Sequence, residues 1–391
     1  MLKKMISVFE SYGFEPLETP PVELKEILTG KIGAEEKLIY DVSYKGDTPL
    51  ALRYDLTVPL ARVVAQYPDL PKPFKRYQIG NSYRGENTQK GRFRQFLQVD
   101  VDTVGSSSPL ADAEIIAAAD ATMRALGFKN YSIRFFSRDV LFKKIEEAGI
   151  PENQAMTAIR SIDKIRKIGW QAARDDMVAN GIPFDQAVLL DNKLSTTQLT
   201  EGENMNEIYE LCTKSGVNTK NLIWDPRMAR GLDYYTGIIF ECYVEDYGGG
   251  SVGGGGRYDN LIEKYSGIPT PAVGFSFGLD RVIEAMDSQN PQAGEDTPAK
   301  ALVTVMSEEL APESFKIAEK LRKFFPTELY VGSGNLEKQL KYADERKIPF
   351  VIILGQKESG MNLVTLRNMA YKTQKEMISF EEATNTISNT K

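Results

Sequence analysis

Leu2, Met5, Ile6 and Phe9 fall on one side of a helical wheel over residues 1–14, which predicts an amphipathic helix ending at Gly13. Residues Phe14 to Thr19 then read as extended chain up to the Pro20–Pro21 break. Four strand-like runs follow: LIYDVSY, PLALRYDL, FKRYQIGNSYRG and FRQFLQVDVDTVG. Their period-2 character and hairpin spacing predict an antiparallel sheet rather than βαβ units. Residues 109–126 form a helical pattern with Pro109 at its start and Gly127 after its end. Residues 131–136 read as a strand. Most of 139–217 reads as polar helix, broken at Gly149–Pro151 and Gly181–Pro183. Strand-rich, glycine-rich sequence returns at 228–278, and a helix from Leu279 to Met286 leads into the polar SQNPQAGEDTPAK. Beyond it, ALVTVM, a helix near 312–324, ELYVG, a helix near 335–346 and FVIILG alternate strand with helix, which predicts a small α/β domain with a mainly parallel sheet.

The pattern therefore divides the chain into a sheet-rich part at 1–136, a helical insertion at 137–220, a return to the sheet at 221–287, a linker at 288–299 and an α/β domain at 300–391. A length of 391 residues suits two or three domains. A net charge of −6 excludes a uniformly basic nucleic-acid binder while leaving room for a local basic surface. No apolar run approaches the roughly 18 residues that span a bilayer, and MLKKMISVFESYGF lacks a signal peptide's apolar core. Cys212 and Cys242 are the only cysteines, so a disulfide framework or cysteine zinc site is not expected, and a reducing cytoplasm is. The count of zero histidines matters most. It removes Ser-His-Asp triads, Cys-His pairs, HExxH zinc sites and imidazole bases. Any chemistry must run on carboxylates, Arg, Lys, Tyr, backbone dipoles or an oxygen-bound metal.

Four segments could carry chemistry. SYRGENTQKGRFRQFLQVDVD, residues 82–102, places Arg84, Glu86, Gln89, Lys90, Arg92 and Arg94 around a hairpin loop. Gln98, Asp100 and Asp102 alternate on the second arm and so share one face. Several guanidiniums on an antiparallel scaffold suit a polyphosphate; a solvated surface hairpin has the same pattern. RGLDYYTGIIFECY sets Arg230 and Asp233 before Tyr234 and Tyr235, at what reads as the start of a strand, where tyrosines also serve as half-buried packing residues. YGGGSVGGGGRYDNLIE holds seven glycines in nine residues but lacks the Gly-Lys-Ser/Thr ending of a phosphate loop. Close backbone approach to a ligand and a flexible loop both fit it. AVGFSFGLDRVIEAM reads as a strand feeding a helix, with Arg281 in the first turn, facing either an anion or solvent.

In this order, the Arg-bearing hairpin, RGLDYYTG, GGGGRYD and GFSFGLDR resemble a class II aminoacyl-tRNA synthetase, specifically the histidyl-tRNA synthetase family. ALRYDLTVPLAR at 51–62 fits, and LEKQLKYADERKIPFVIILG at 336–355 resembles that family's anticodon-binding domain. The resemblance implies an α+β catalytic domain on an antiparallel sheet, at 1–136 and 221–287, with a helical insertion and a C-terminal α/β anticodon-binding domain. It implies ATP and Mg²⁺, L-histidine, tRNA(His), a homodimer, and ligation through histidyl-adenylate. Arg84 and Arg230 match the arginines beside the α-phosphate, and Arg92 and Arg281 those on the β- and γ-phosphates. Glu86 matches a carboxylate near the adenosine. Asp55, Thr57 and Gln98 match residues around the substrate's amino and carboxylate groups. Asp102, Tyr235 and Tyr258 match the lining of the imidazole pocket, with Tyr234 adjacent. Gln89, Lys90, Lys338 and Lys341 are candidate tRNA contacts; on a helix, Lys338, Lys341 and Arg346 are equally ordinary solvated charges.

The sequence departs from the family pattern in places. Leu97 stands where a polar or aromatic residue is usual, Asp55 and Asp102 are a methylene shorter than the Glu of some members, and ENTQKGR replaces the commoner E-R-P-Q-K-G-R. The family's G-x-x-D-x-x-P segment ahead of the first helix does not occur in this sequence, so dimer packing and tRNA approach are expected to differ there. A second reading is the synthetase-like regulatory subunit of ATP phosphoribosyltransferase, which keeps the catalytic fold. Intact Arg84, Arg230 and Arg281 and the segment 300–391 weigh against it.

Overall fold

The computed structural model describes residues 1–30, 33–88, 91–230, 234–289 and 297–389, with side chains described throughout these except at 33–35 and 167. The chain forms two compact units, Met1–Gln289 and Asn290–Lys391.

In the first unit, α1 (Leu2–Ser11) buries Met5 and Phe9 and ends before Gly13, whose φ of +77° favours glycine. β1 (Glu15–Pro16) follows. β2 (Val22–Leu24), β3 (Asp41–Val42) and β4 (Leu50–Leu52) make a three-stranded side sheet, with α2 (Lys25–Leu28) after β2. LIYDVSY thus yields a two-residue strand, its ladder with β4 running over Asp41 and Val42. α3 (Thr57–Gln66) leads into the long hairpin of β5 (Phe74–Tyr83) and β6 (Gln95–Val104). α4 (Pro109–Leu126) starts as its sequence predicts: the Ser108 hydroxyl accepts from the Leu110 amide, and Gly127 takes a left-handed φ of +94° at its end. Then come β7 (Tyr131–Ser137), α5 (Arg138–Glu147), α6 (Glu152–Asp163), α7 (Ile165–Ala179), α8 (Phe184–Thr196) and α9 (Met205–Lys214). The unit closes with β8 (Leu222–Trp224), β9 (Ile238–Val244), β10 (Ser251–Arg257), α10 (Glu263–Ser266), β11 (Ala272–Gly278) and α11 (Leu279–Gln289).

Eight strands form the main sheet in the order β1-β5-β6-β11-β10-β9-β7-β8. Its six central strands pair antiparallel; β1 and β8 join the two edges in parallel. One face packs Val99, Val101, Phe240, Phe275 and Phe277 against Met5, Phe9, Ile115 and Ile116 of α1 and α4. Each such side chain contributes about 1.5–3 kcal/mol by burial. The helices between β7 and β8 divide in their packing. Met205, Ile208 and Cys212 of α9 join this core, whereas α5, α6 and α8 pack with α3 and the tyrosines of the opposite face. That opposite face is polar, and the candidate site stands on it.

Two local readings of the sequence are corrected. The glycine run is not a flexible loop: Gly253 to Gly256 are paired on both sides, in β10. Tyr234 and Tyr235 are not yet in a strand, since β9 begins at Ile238. The second unit holds β12 (Ala301–Val303), α12 (Ala311–Leu321), β13 (Thr327–Leu329), α13 (Leu336–Glu345), β14 (Phe350–Ile353), α14 (Gln356–Met361), β15 (Val364–Asn368), β16 (Thr373–Ile378) and α15 (Phe380–Ser388). Its sheet is mixed rather than mainly parallel: β13, β12 and β14 run parallel, while β15 and β16 add antiparallel hairpin strands.

Candidate active site

Strand register lays out the polar face in rows. Arg76 on β5 stands opposite Asp102 on β6, which stands opposite Gly274 on β11. The next row is Gln78, Asp100 and Ser276; the next is Gly80, Gln98 and Gly278. Because successive side chains point to opposite faces, these rows are the direct complement of the apolar positions 99, 101, 275 and 277 below them.

Two adjoining cavities open on this face. The inner recess is lined by Asp55, Thr57, Asp100, Asp102, Tyr234, Tyr235 and Tyr258, and its volume is about 40 Å³. Asp55 Oδ1 accepts from the amides of Thr57 (3.1 Å) and Val58 (2.9 Å) at the start of α3, and Oδ2 accepts from the Tyr234 hydroxyl at 3.3 Å. Asp102 Oδ1 accepts from the Tyr258 hydroxyl at 2.5 Å, and Oδ2 pairs with Arg76 Nη2 at 2.9 Å. Arg76 itself is fully buried and donates to the Leu56 carbonyl. The Tyr234 ring lies 4.9 Å from that of Tyr235 and 6.1 Å from that of Tyr258. Burial raises the carboxyl pKa values of Asp55 and Asp102, with Arg76 opposing it at Asp102; Asp100 is pushed up to about 7 by burial against the same guanidinium. Burial also raises the hydroxyls of Tyr234, Tyr235 and Tyr258, so all three remain donors. The recess, about 40 Å³ in volume, opens into the outer cavity through the residues that line both.

The outer cavity measures about 330 Å³ and is lined by Tyr54, Arg84, Glu86, Arg92, Phe96, Asp163, Glu241 and Arg281. Arg84, Gln98, Arg230, Gly254 and Ser276 line both cavities. Arg84 is held by its Nε bond to the Tyr54 carbonyl (3.2 Å), with its guanidinium 4.2 Å from the Tyr54 ring and 4.9 Å from the Phe96 ring. Arg230 Nη1 pairs with Glu241 at 3.0 Å. Burial works against its charge, and Tyr235 and Glu241 more than offset it. Glu86 pairs with Arg92 at 3.2 Å. Arg281 donates to the carbonyls of Gly91 (3.1 Å) and Ser251 (2.9 Å). Its pKa is lowered by burial and by neighbouring Arg92, an arrangement that an anion would relieve.

The glycines of β10 make this geometry possible. A Cβ on Gly254 would sit 1.7 Å from Arg230 Nη1, and one on Gly256 would sit 2.9 Å from the Tyr235 ring. On β11, a Cβ at Gly274 would meet Asp102 Oδ1 at 1.9 Å. Gly254 and Gly256 leave space that a guanidinium and a phenol occupy, while Gly253 and Gly255 admit the close approach of Phe275 and the β11 backbone.

The structure brings Arg84, Glu86, Arg92, Arg230 and Arg281 to one cavity and Asp55, Thr57, Gln98, Asp102, Tyr234, Tyr235 and Tyr258 to the adjoining one. Gln89 and Lys90 lie outside the described residues. Lys338 and Lys341 are exposed on α13 in the second unit; Lys338 donates to the Ser333 carbonyl and Lys341 pairs with Glu345 at 3.7 Å. Sequence reasoning gave no role to Arg76, Asp100, Glu241 or Ser276. The available signal was alternation: Arg76 falls in phase with Gln78, as Glu241 does with Ile239 and Tyr243, on faces opposite the apolar ones.

A family model described as Histidyl-tRNA synthetase matches residues 1–282, and one described as Anticodon binding domain matches 300–390. Relatives named histidine–tRNA ligase include that of Clostridium tetani, 39% identical over 97% of this chain and 92% of the relative. That of Rhodopirellula baltica is 36% identical over 96% of this chain and 90% of the relative. The chain belongs to the histidyl-tRNA synthetase family. The solved histidyl-tRNA synthetase of Nostoc sp. PCC 7120 has the same fold, with a TM-score of 0.79 at 31% identity over 99% of this chain and 94% of that one. A Bacillus halodurans structure described as an ATP phosphoribosyltransferase regulatory subunit/histidyl-tRNA synthetase, at 21% identity and a TM-score of 0.69, shares the fold alone. The regulatory reading is not favoured. Histidyl-tRNA synthetases are class II aminoacyl-tRNA synthetases, ligases that use ATP, an amino acid and tRNA. No described helix is long and apolar enough to cross a membrane.

Proposed function

We propose that the two cavities form one active site, in which ATP occupies the outer cavity and L-histidine the inner recess. The observation that carries this reading is that Arg84 and Arg230 line both, so two guanidiniums stand where the α-phosphate and the amino-acid carboxylate must meet. The carboxylate oxygen attacks the α-phosphorus and the bond to pyrophosphate breaks, with no proton to remove. A protein with no histidine can run this step, because positioning and charge stabilisation supply the catalysis. Arg92 and Arg281 take the β- and γ-phosphates and Glu86 the adenosine side. Asp55, Thr57 and Gln98 hold the substrate's amino and carboxylate end. Asp102, with Tyr234, Tyr235 and Tyr258, receives the ring: a carboxylate accepts its N–H and a hydroxyl donates to its other nitrogen. A pocket built to hydrogen-bond its substrate rejects analogues lacking those groups far better than apolar fit does.

In the transfer step, the terminal ribose hydroxyl of tRNA(His) attacks the histidyl carbonyl and AMP leaves. A phosphate oxygen of the adenylate takes the hydroxyl proton. Among the described residues no cluster of three or more carboxylate or cysteine groups could hold a metal by itself. Glu86 and Glu241 do face the outer cavity, and Mg²⁺ needs only one or two carboxylates besides phosphates and water. When bound with the nucleotide, the ion neutralises phosphate charge. Gln89, Lys90, Lys338 and Lys341 are proposed to meet the tRNA, whose anticodon is read single-stranded by the second unit. We further propose a cytoplasmic homodimer.

Histidine-dependent exchange of pyrophosphate into ATP tests this reading. The wild-type chain is expected to exchange with L-histidine; exchange with no amino acid would refute it.

A further inference from the structure

Arg257 and Tyr258 follow one another at the end of β10, and the pleat of the strand sends them to opposite sides of the sheet. The Tyr258 hydroxyl reaches Asp102 in the recess. Arg257 falls in phase with Gly253 and Gly255, on the face that α4 covers, and is 8% exposed. There its Nε and Nη2 fork onto the two carboxylate oxygens of Asp112, in the first turn of α4, at 3.0 and 2.7 Å. Nη1 donates to the Ser106 carbonyl at 3.0 Å and to Asp259 Oδ1 at 3.1 Å, and Nη2 donates to the Ser108 carbonyl at 3.4 Å. Every donor that a guanidinium carries is thus used. The turn at 106–108 follows Asp102 out of β6. One guanidinium therefore ties the end of the strand that carries Asp102 to the end of the strand that leads into Tyr258.

The peptide groups around Tyr258 are fastened as well. The Thr236 amide donates to the Arg257 carbonyl at 2.8 Å, and the Asp259 amide donates to the Thr236 hydroxyl at 3.1 Å. The Tyr258 amide donates to the Ala272 carbonyl at 2.7 Å, and Asp259 Oδ1 accepts from the Ala272 amide at 3.1 Å. A buried ion pair adds little net hold between a helix and a sheet, because desolvation offsets its attraction and apolar side chains of similar volume serve as well. What the pair adds is direction: a two-pronged bond between planar groups fixes angle as well as distance. Neither Arg257 nor Asp112 lines the outer cavity or the recess, so that direction reaches the site through Tyr258.

We propose that Arg257 and Asp112 are positioning residues for substrate recognition: from the far face of the sheet they set the Tyr258 hydroxyl against Asp102, and so fix the spacing of the two groups that bond the substrate ring. This rests on the reading of the recess as the histidine site and extends it to an ion pair on the other side of the sheet.

Calorimetric titration of the whole chain with L-histidine and with ATP tests the proposal. Asp112→Asn removes one charge of the pair. Asp112→Leu combined with Arg257→Met removes both together, a replacement expected to keep the fold. Each variant is expected to weaken L-histidine about 10-fold, as for the loss of one hydrogen bond to the ring, and to hold ATP within about twofold of wild type. In a Tyr258→Phe background, where the hydroxyl to be positioned is gone, the same changes should weaken L-histidine by no more than about twofold further. L-histidine bound as tightly by both variants as by wild type, an equal loss for ATP, or full additivity with Tyr258→Phe overturns the proposal. Pyrophosphate exchange on the same samples separates it from the activation reading. A wild-type chain that binds L-histidine without exchange, with the variants weakened as stated, refutes activation and upholds the positioning role. Exchange with unaffected variants refutes the positioning role alone, and no L-histidine binding by wild type overturns both.

Discussion

The outer cavity and the inner recess meet at Arg84 and Arg230 yet are built differently. The outer cavity draws Glu86 and Arg92 from the hairpin loop and Arg281 from the first turn of α11, and half of the Arg92 side chain is exposed. It offers about 330 Å³ edged by cations. The recess is about 40 Å³, its acidic floor stands on β6, and Asp55, Asp102 and Tyr258 are each 2% exposed. Its carboxylates are tied to Arg76, Tyr234, Tyr258 and the amides of α3. On the proposed reading, the difference follows from the ligands. A polyphosphate is recognised by charge, which acts over distance and tolerates adjustable side chains. An imidazole with its ammonium is recognised by a few directional bonds, which need rigid strands and deep burial.

If that contrast holds, substitutions at the boundary do most damage to rate. Arg84→Ala is expected to reduce the turnover of histidine-dependent pyrophosphate exchange by about 10²–10³-fold, the range for removing a preorganised transition-state donor. Gly254→Ala adds no charge and removes no polar group, but its Cβ lands on Arg230 Nη1. Exchange should fall by about 10²-fold as the guanidinium is displaced, whereas Gly360→Ala, where a Cβ meets nothing within 4 Å, should leave it unchanged.

In the recess, stability becomes the readout. Arg76→Met leaves the Asp102 carboxylate buried without its cation and should cost about 3–5 kcal/mol in urea unfolding. Asp100 has the opposite sign. Its folded pKa, about 7, lies above its ordinary value of 3.8, so the folded state holds the proton more tightly and loses relative stability as pH rises between those values. Asp100→Asn should therefore raise the melting temperature relative to wild type at pH 8, with the gap closing toward pH 4. The smallest effect is expected at the exposed edge: Arg92→Ala should raise the KM for ATP about 3–10-fold and leave the KM for histidine unchanged, as for a solvent-screened cation.

Much of this contrast could be read from residue patterns, and some could not. The ends of α4 were plain because Ser108, Pro109 and Gly127 each serve a local backbone need. The apolar phase of β6 and β11 announced which face was core. The glycine run was ambiguous, since whether it is loop or strand depends on its pairing with β9 and β11 on either side, which the run itself does not announce. Arg76 was hidden for the same reason: a buried cation looks like a surface one until its partner Asp102 is placed beside it by register. The last strand of the second sheet went unread because Thr373–Ile378 is largely exposed and carries no apolar alternation.

The central claim is that the guanidinium boundary joins a nucleotide cavity to a recess made for histidine. Pyrophosphate exchange by the wild-type chain with each of the twenty amino acids in turn tests it most directly. L-histidine alone should support exchange; exchange driven by a different amino acid, or by none, would contradict the account.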